Sequence, residues 1–327
     1  MRRVALVIVL VLLAIAAVVG GLIAFGTRSV PTVNPSAVAA FKGVDFSMLP
    51  PLEHYAARDG AQLGYRRYGL PAGAAARGVI VLLHGAADSG PTMHALAQSL
   101  RDAGLVVYVP ELRGHGDSLP SGDIRYVGQL EDDLVDFVAV LRQREGNAPL
   151  RLAGFSAGGS LALRFESGPH AALFSSCLLL APGLAYKGPM VRPPSAATSG
   201  VRAFGVLYVP RLAGLMIAHL VGIHAFDGLP VLTFTVPADS HTLTRSYSLR
   251  MVSDLFPGDY RQAIAALHVP TTVMIGDADE FAIASEVARA FQGHHPEIPV
   301  IILPGMRHLD LITQPAALAA IGKWATE

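Results

Sequence analysis

The chain has 327 residues, 52% of them hydrophobic, which is enough to bury a full core. Its 25 basic and 25 acidic residues cancel to a formal net charge of zero, so it lacks the electrostatic footprint of a nucleic-acid-binding protein. The single cysteine, Cys177, sits in the apolar run Cys-Leu-Leu-Leu-Ala181, forms no internal disulfide and argues against a disulfide scaffold.

From the amino terminus, Val4 to Phe25 carries no charged residue, and as a helix it would span about 33 Å, the thickness of a bilayer core. A cleaved secretory signal is the alternative, but its apolar region usually stops after about 7–15 residues. The run predicts an uncleaved membrane anchor over residues 1–28. Arg2, Arg3 and the amino terminus outnumber Arg28 on the far flank, which predicts a cytoplasmic N-terminus and a globular part outside. Residues 29–51, rich in Pro, Ser and Ala, read as a stalk.

Residues 52–327 have the rhythm of a folded domain. Gln62 to Gly69 reads as an early strand. Apolar strands near Val79, Leu105, Leu150, Cys177, Thr271 and Val300 then alternate with helical patterns near Met93, Leu130, Ser160, Ser285 and Pro315. Such alternation predicts an α/β fold with a mainly parallel sheet covered on both faces, and ligands bound at the carboxyl ends of its strands. Residues 183–266 interrupt the rhythm and read as a helical cap. Its apolar stretches, 201–208 and 212–222, fit either an acyl-chain pocket or plain core.

Three loops carry the chemistry. Gly154-Phe-Ser-Ala-Gly158 places Ser156 between a strand and a helix, where a nucleophile stands clear of the sheet; a helix-capping serine is the bland reading of the same pattern. His84-Gly85-Ala86 follows the Val79 strand, and the N–H groups of Ala86 and Ala157 are the natural donors to an oxyanion. In that position His84 is expected to brace the loop by hydrogen bonding. After the Thr271 strand stand Asp277, Asp279 and Glu280, and spacing alone excludes neither aspartate as the acid. His308 lies in the loop after the last strand. His294 and His295 end a helix, while His219, His224, His241 and His268 fall outside any strand-end loop.

With Glu111-Leu-Arg-Gly-His-Gly-Asp-Ser118 as a further Gly-bracketed turn, the ordered motifs resemble the α/β-hydrolase superfamily. Within it they are similar to the branch of monoacylglycerol lipases, lysophospholipases and serine aminopeptidases. The resemblance runs from about Leu52 to Trp324 and is vague between Pro182 and Ala266; Glu111 stands where that branch usually has Asp. It implies a Ser-Asp-His order along the chain and selects Asp279, through a Gly-x-x-Asp loop, over Asp277.

The expectation is a single-pass serine hydrolase with Ser156 as nucleophile, His308 as base, Asp279 as orienting acid and Ala86 and Ala157 as the oxyanion hole. No metal or organic cofactor is called for. The anchor and apolar cap favour hydrophobic or lipid-like esters, such as monoacylglycerols or lysophospholipids. A peptidase or amidase on the same triad, and an idle hydrolase-fold binding module, are the competing readings.

Overall fold

A computed structural model of the protein describes residues 2–27, 40–185, 188–192, 205–236 and 243–326. The 24-residue helix α1 (Arg2–Phe25) opens the chain. In the globular part β1 (Leu52–Ala56), β2 (Gln62–Tyr68) and β3 (Gly78–Leu83) lead to α2 (His94–Asp102) and β4 (Leu105–Pro110). Then come α3 (Gln129–Glu145), β5 (Leu150–Phe155), α4 (Ala157–Glu166) and β6 (Ser176–Leu180).

The chain next leaves the sheet through β7 (Gly205–Leu207), α5 (Val209–Leu220), β8 (Pro230–Phe234), β9 (Ser246–Ser248), α6 (Leu249–Leu255) and α7 (Tyr260–Ala265). It returns as β10 (Thr271–Gly276), α8 (Ala284–His294), β11 (Val300–Leu303), α9 (Asp310–Thr313) and α10 (Pro315–Thr326).

The main sheet has eight strands in the order β1-β2-β4-β3-β5-β6-β10-β11. Every pairing from β4 to β11 is parallel, and β2 alone runs against the others, antiparallel to both β1 and β4. The central strand β3, Gly-Val-Ile-Val-Leu-Leu, is buried along its whole length, as a strand covered by helices on both faces must be. On α3, Glu131 and Asp132 in the first turn and Arg142 and Arg144 in the last oppose the helix dipole with the favourable sign. All six sequence-predicted apolar strands and all five helical patterns are present. The strand β1 was not anticipated, because its polar residues Glu53 and His54 break the apolar run that marked the others.

The segment between β6 and β10 is not purely helical, a correction to the sequence reading. The residues at 205–207 form a strand of a three-stranded antiparallel sheet, ordered β7-β8-β9, against which α5 packs. The rest of that stretch, 201–204, lies outside the described residues.

The last turns of α1 rest on α5. Ile23, the only buried residue of α1, joins Leu215, Ala218, Val231 and Leu249 in a small core separate from the main one. Arg211 donates to the carbonyl oxygens of Ile23 at 2.8 Å and Ala24 at 3.4 Å, placing a cation on the carbonyl end of α1 where it satisfies groups the helix leaves unpaired. Most of α1 beyond Arg2 and Arg3 is exposed and apolar, with a mean hydropathy of 3.2 over its best window, so by length and composition it is capable of crossing a membrane.

Candidate active site

Ser156 sits at the junction of β5 and α4 with φ 55° and ψ −115°, a region that a residue with a side chain enters only under strain. Two close approaches impose this geometry. A Cβ on Gly154 would lie 2.2 Å from the carbonyl oxygen of Gly158, and one on Gly158 would lie 2.4 Å from that of His84. Only glycine fits at either place, so the Gly-x-Ser-x-Gly spacing reflects the packing of the turn against the loop after β3. The bland reading, a capping serine, does not describe the turn: Ser156 makes no side-chain cap to α4.

The Ser156 Oγ lies 2.9 Å from Nε2 of His308, in the loop after β11. On the other side of the ring, Nδ1 is 2.7 Å from Oδ2 of Asp279, in the loop after β10. Nδ1 therefore carries the hydrogen, leaving Nε2 free to accept from the serine hydroxyl. The three residues come from loops at the carboxyl ends of β5, β10 and β11, parallel strands of the one sheet, as the fold class predicts. Asp277 is elsewhere: its Oδ1 accepts the N–H of Gly305 at 2.7 Å and ties the two loops together.

Each member is held by further contacts. The second oxygen of Asp279 accepts the N–H groups of Phe281 and Ala282 at 2.8 and 2.9 Å, and Arg192 donates to its backbone carbonyl at 2.8 Å. The rings of Phe155 and Phe281 lie 4.8 and 4.9 Å from that of His308, fixing its plane. Glu280 accepts the backbone N–H of His308 at 2.9 Å.

Electrostatics follow from this packing. Burial pulls the His308 pKa down, but the charge and hydrogen bond of Asp279, helped by Glu280 and Asp88, outweigh it and leave it raised above 6.5. For Asp279 burial acts upward, and the His308 contact with the two backbone N–H bonds overcomes it, so the carboxyl is lowered below 3.8. Asp88, two residues beyond Ala86, is pushed up to about 7 by burial, with the pull of His308 acting against it.

Ala157 is buried at the first position of α4, where a helix leaves its N–H without an internal partner. Among the described residues, neither its N–H nor that of Ala86 meets a backbone acceptor. The next N–H along, of Ala87, is taken: it donates to the Tyr247 hydroxyl at 2.8 Å, and the Ala87 carbonyl accepts the N–H of Thr244 at 2.9 Å. Ala87 itself is held at φ 62°.

The Tyr247 hydroxyl donates onward to Nε2 of His115 at 2.5 Å, while Nδ1 of His115 donates to the Arg113 carbonyl at 3.1 Å. Tyr247 and Thr244 lie in the segment outside the main sheet, so that segment clamps the loop after β3 from above. His84 braces it from below: Nδ1 donates to Gly85 O at 2.9 Å and Nε2 accepts from Leu112 N at 3.1 Å. Burial lowers His84 to about 4, which keeps the ring neutral in this role.

Glu111 is also structural. Its carboxyl is buried beside Gly90 and Gly116, and burial raises its pKa. Sequence reasoning missed Tyr247 and Arg192, which belong to no motif and reach the site only through tertiary folding, and it placed Glu280 in the acid loop without foreseeing its bond to the His308 backbone.

The same architecture recurs in solved structures. A soluble variant of monoglyceride lipase from Saccharomyces cerevisiae, in complex with a substrate analog, matches 85% of this chain and 96% of its own at 17% identity, with a TM-score of 0.61. The monoacylglycerol lipase of Paleococcus ferrophilus matches 81% of this chain and 98% of its own at 17% identity, with a TM-score of 0.58. These likenesses place the chain in the α/β-hydrolase fold class.

Residues 74–313 match the family described as serine aminopeptidase, S33, and the chain belongs to that family. A monoacylglycerol lipase of Mycolicibacterium smegmatis (strain ATCC 700084 / mc(2)155) is 32% identical over 90 residues, 27% of this chain. That match spans 32% of the relative's length.

Proposed function

We propose that the protein is a membrane-anchored serine hydrolase that cleaves carboxylic esters of lipid-like molecules through Ser156, His308 and Asp279. The observation that carries this reading is the continuous hydrogen-bonded line from Ser156 Oγ through the imidazole to Asp279, at 2.9 and 2.7 Å. A serine hydroxyl is a weak nucleophile until a base takes its proton, and this line supplies the base in the required tautomer.

In the proposed reaction Nε2 of His308 accepts the hydroxyl proton as Ser156 Oγ attacks the ester carbonyl. The N–H groups of Ala86 and Ala157 receive the oxyanion, and Asp279 stabilises the imidazolium. Collapse of the tetrahedral intermediate expels the alcohol, which takes the proton from His308. Water, deprotonated by the same nitrogen, then releases the acid from Ser156.

The lipid preference rests on where the chain presents apolar surface. The exposed helix α1 ends against α5, and the α5 region exposes Met216, Ile217, Leu220 and Val221 beside it. A cap held at a bilayer surface would admit substrate from the lipid phase. The monoacylglycerol lipases among the similar proteins point the same way. Residues 1–28 are read as the anchor, 29–51 as a stalk and 183–266 as the cap, with the two N-terminal arginines on the cytoplasmic side and the catalytic domain outside.

The family description names an aminopeptidase, and the same triad attacks amides, so a panel setting aminoacyl amides against monoacylglycerols and medium-chain p-nitrophenyl esters decides between the two. The full chain in detergent micelles is expected to hydrolyse the esters, and Ser156→Ala to abolish turnover. Activity retained in that variant would refute the assignment.

A further inference from the structure

Three side chains that play no part in the proposed reaction converge at the far end of α5. His219, on its last turn, directs Nε2 to Oδ1 of Asp227 at 2.6 Å, and His224 directs Nδ1 to Oδ2 of the same carboxylate at 3.2 Å. The three candidate donor atoms all lie within 4.8 Å of one another, and the two imidazole centroids are 4.4 Å apart. The intervening turn is closed by backbone bonds, Gly222 N to His219 O at 2.9 Å, Ile223 N to Ala218 O at 3.0 Å and Asp227 N to His224 O at 3.2 Å, so the donors are assembled in advance.

Charge makes this cluster unusual. Asp227 is only 8% exposed, and among the described residues its carboxylate meets no lysine or arginine; its ion-pair partners are the two histidines. The nearby Arg250 is turned to Asp123, at 2.6 Å. Each imidazole directs one ring nitrogen to the carboxylate. Buried carboxylates are ordinarily paired with a cation or bound to a metal.

We infer that His219, His224 and Asp227 form a binding site for a divalent transition-metal ion of the zinc type, which fastens the end of α5 to the turn that follows it. The donor set decides the class. Two imidazole nitrogens and one carboxylate oxygen suit zinc, whereas calcium and magnesium seek shells of six or more oxygens. Zinc bonds of about 2.0–2.2 Å in a tetrahedron hold ligand atoms about 3.4 Å apart. The imidazole nitrogens stand 2.6 and 3.2 Å from the two different oxygens of the Asp227 carboxylate, so each nitrogen–oxygen pair lies within 1 Å of the spacing that an ion between them would set. The side chain of His224 is 62% exposed, which gives the ion an entry path and leaves a fourth position to water. The site shares no residue with Ser156, His308 or Asp279, so it stands whether or not the hydrolase reading does.

Isothermal titration of zinc into the full chain, in detergent micelles after chelator treatment, tests this directly. One ion per chain is expected, with a rise in melting temperature, since an ion that binds only the folded state stabilises it. Calcium and magnesium at the same concentration should do neither. Cobalt should bind with the intense visible absorption of a tetrahedral centre.

His224→Gln, at an exposed position where folding is not at risk, should weaken zinc at least about tenfold, the lower end of the loss for partners one shell further out. Asp227→Asn should do the same, and the paired change His294→Gln with His295→Gln should leave binding intact. No titration heat and no thermal shift, or affinity unaltered by His224→Gln, would show that the three residues form a hydrogen-bonded clasp only and overturn the inference.

Discussion

Replacing Tyr247 by Phe removes one oxygen atom and leaves two buried groups without partners. The Ala87 N–H, 1% exposed, loses its acceptor at 2.8 Å, and Nε2 of His115, also 1% exposed, loses its donor at 2.5 Å. Each buried polar group left unmet costs about 1–3 kcal/mol, so together, with some relaxation, about 2–4 kcal/mol of stability should be lost. The catalytic effect is separable. Ala87 holds its φ of 62° between Tyr247 and Thr244, and Ala86, one residue earlier, is the proposed oxyanion donor.

Loss of a whole oxyanion donor costs about 10²–10³-fold in kcat, so a donor that is merely loosened should cost about 10- to 100-fold. KM should change little, because the oxyanion forms only after substrate is bound. Steady-state kinetics on a p-nitrophenyl ester, with thermal melts of the same sample, read both quantities. A Tyr247→Phe enzyme with unchanged kcat and a lowered melting temperature would show that the clamp stabilises the cap without shaping the oxyanion loop.

Asp279→Asn should lower kcat by about 10⁴-fold, because the amide donates to Nδ1 and leaves the hydrogen on the wrong nitrogen for accepting from Ser156. The His308 pKa is raised, so wild-type activity should rise with pH through a midpoint above 6.5, and in the variant that midpoint should fall; a pH–rate profile with an unmoved midpoint would contradict the assignment. Glu166 is fully buried on α4 with neither carboxyl oxygen hydrogen-bonded among the described residues, and burial raises it from 4.5 to about 8. Its folded-state pKa lies above the unfolded value, so its neutral form stabilises the fold at low pH. That contribution is lost as pH rises through the window, at about 1.4 kcal/mol per pH unit. Glu166→Gln cannot ionise, so its melting temperature relative to wild type should climb between pH 5 and pH 8, and a constant difference would refute the assignment of a neutral buried acid.

What could be read in the sequence follows from where the physics is local. The Ser156 elbow, the loops bearing Asp279 and His308, and the mostly apolar strands β3 to β6 announce themselves because each needs particular residues at adjacent positions. Glycines are required at 154 and 158 by contacts within the turn and with the loop next to it, so the spacing survives as a motif. The choice of Asp279 over Asp277 needed the family resemblance, since a two-residue shift changes nothing in a local pattern; in the structure Asp277 binds the neighbouring loop instead.

Other features are set by distant parts of the chain. The three strands β7, β8 and β9 have 3, 5 and 3 residues, too few to display an alternation, and so their sheet was read as helix. Tyr247 reaches Ala87 across 160 positions, a pairing that no spacing rule records. His219, His224 and Asp227 lie close in sequence, yet only the closed turn after α5 shows that their donors converge. The docking of α1 was hidden for a different reason: a helix apolar all round gives no sign of which residue, here Ile23, turns inward.

The central claim is that Ser156 is a nucleophile activated by His308, and covalent labelling tests it most directly. Treated with a fluorophosphonate probe, the full-length protein should be labelled at Ser156, as located by mass spectrometry of the modified peptide. His308→Ala and Asp279→Asn should slow the labelling strongly. Label at another serine, or labelling of Ser156 at the same rate without the imidazole, would contradict the account.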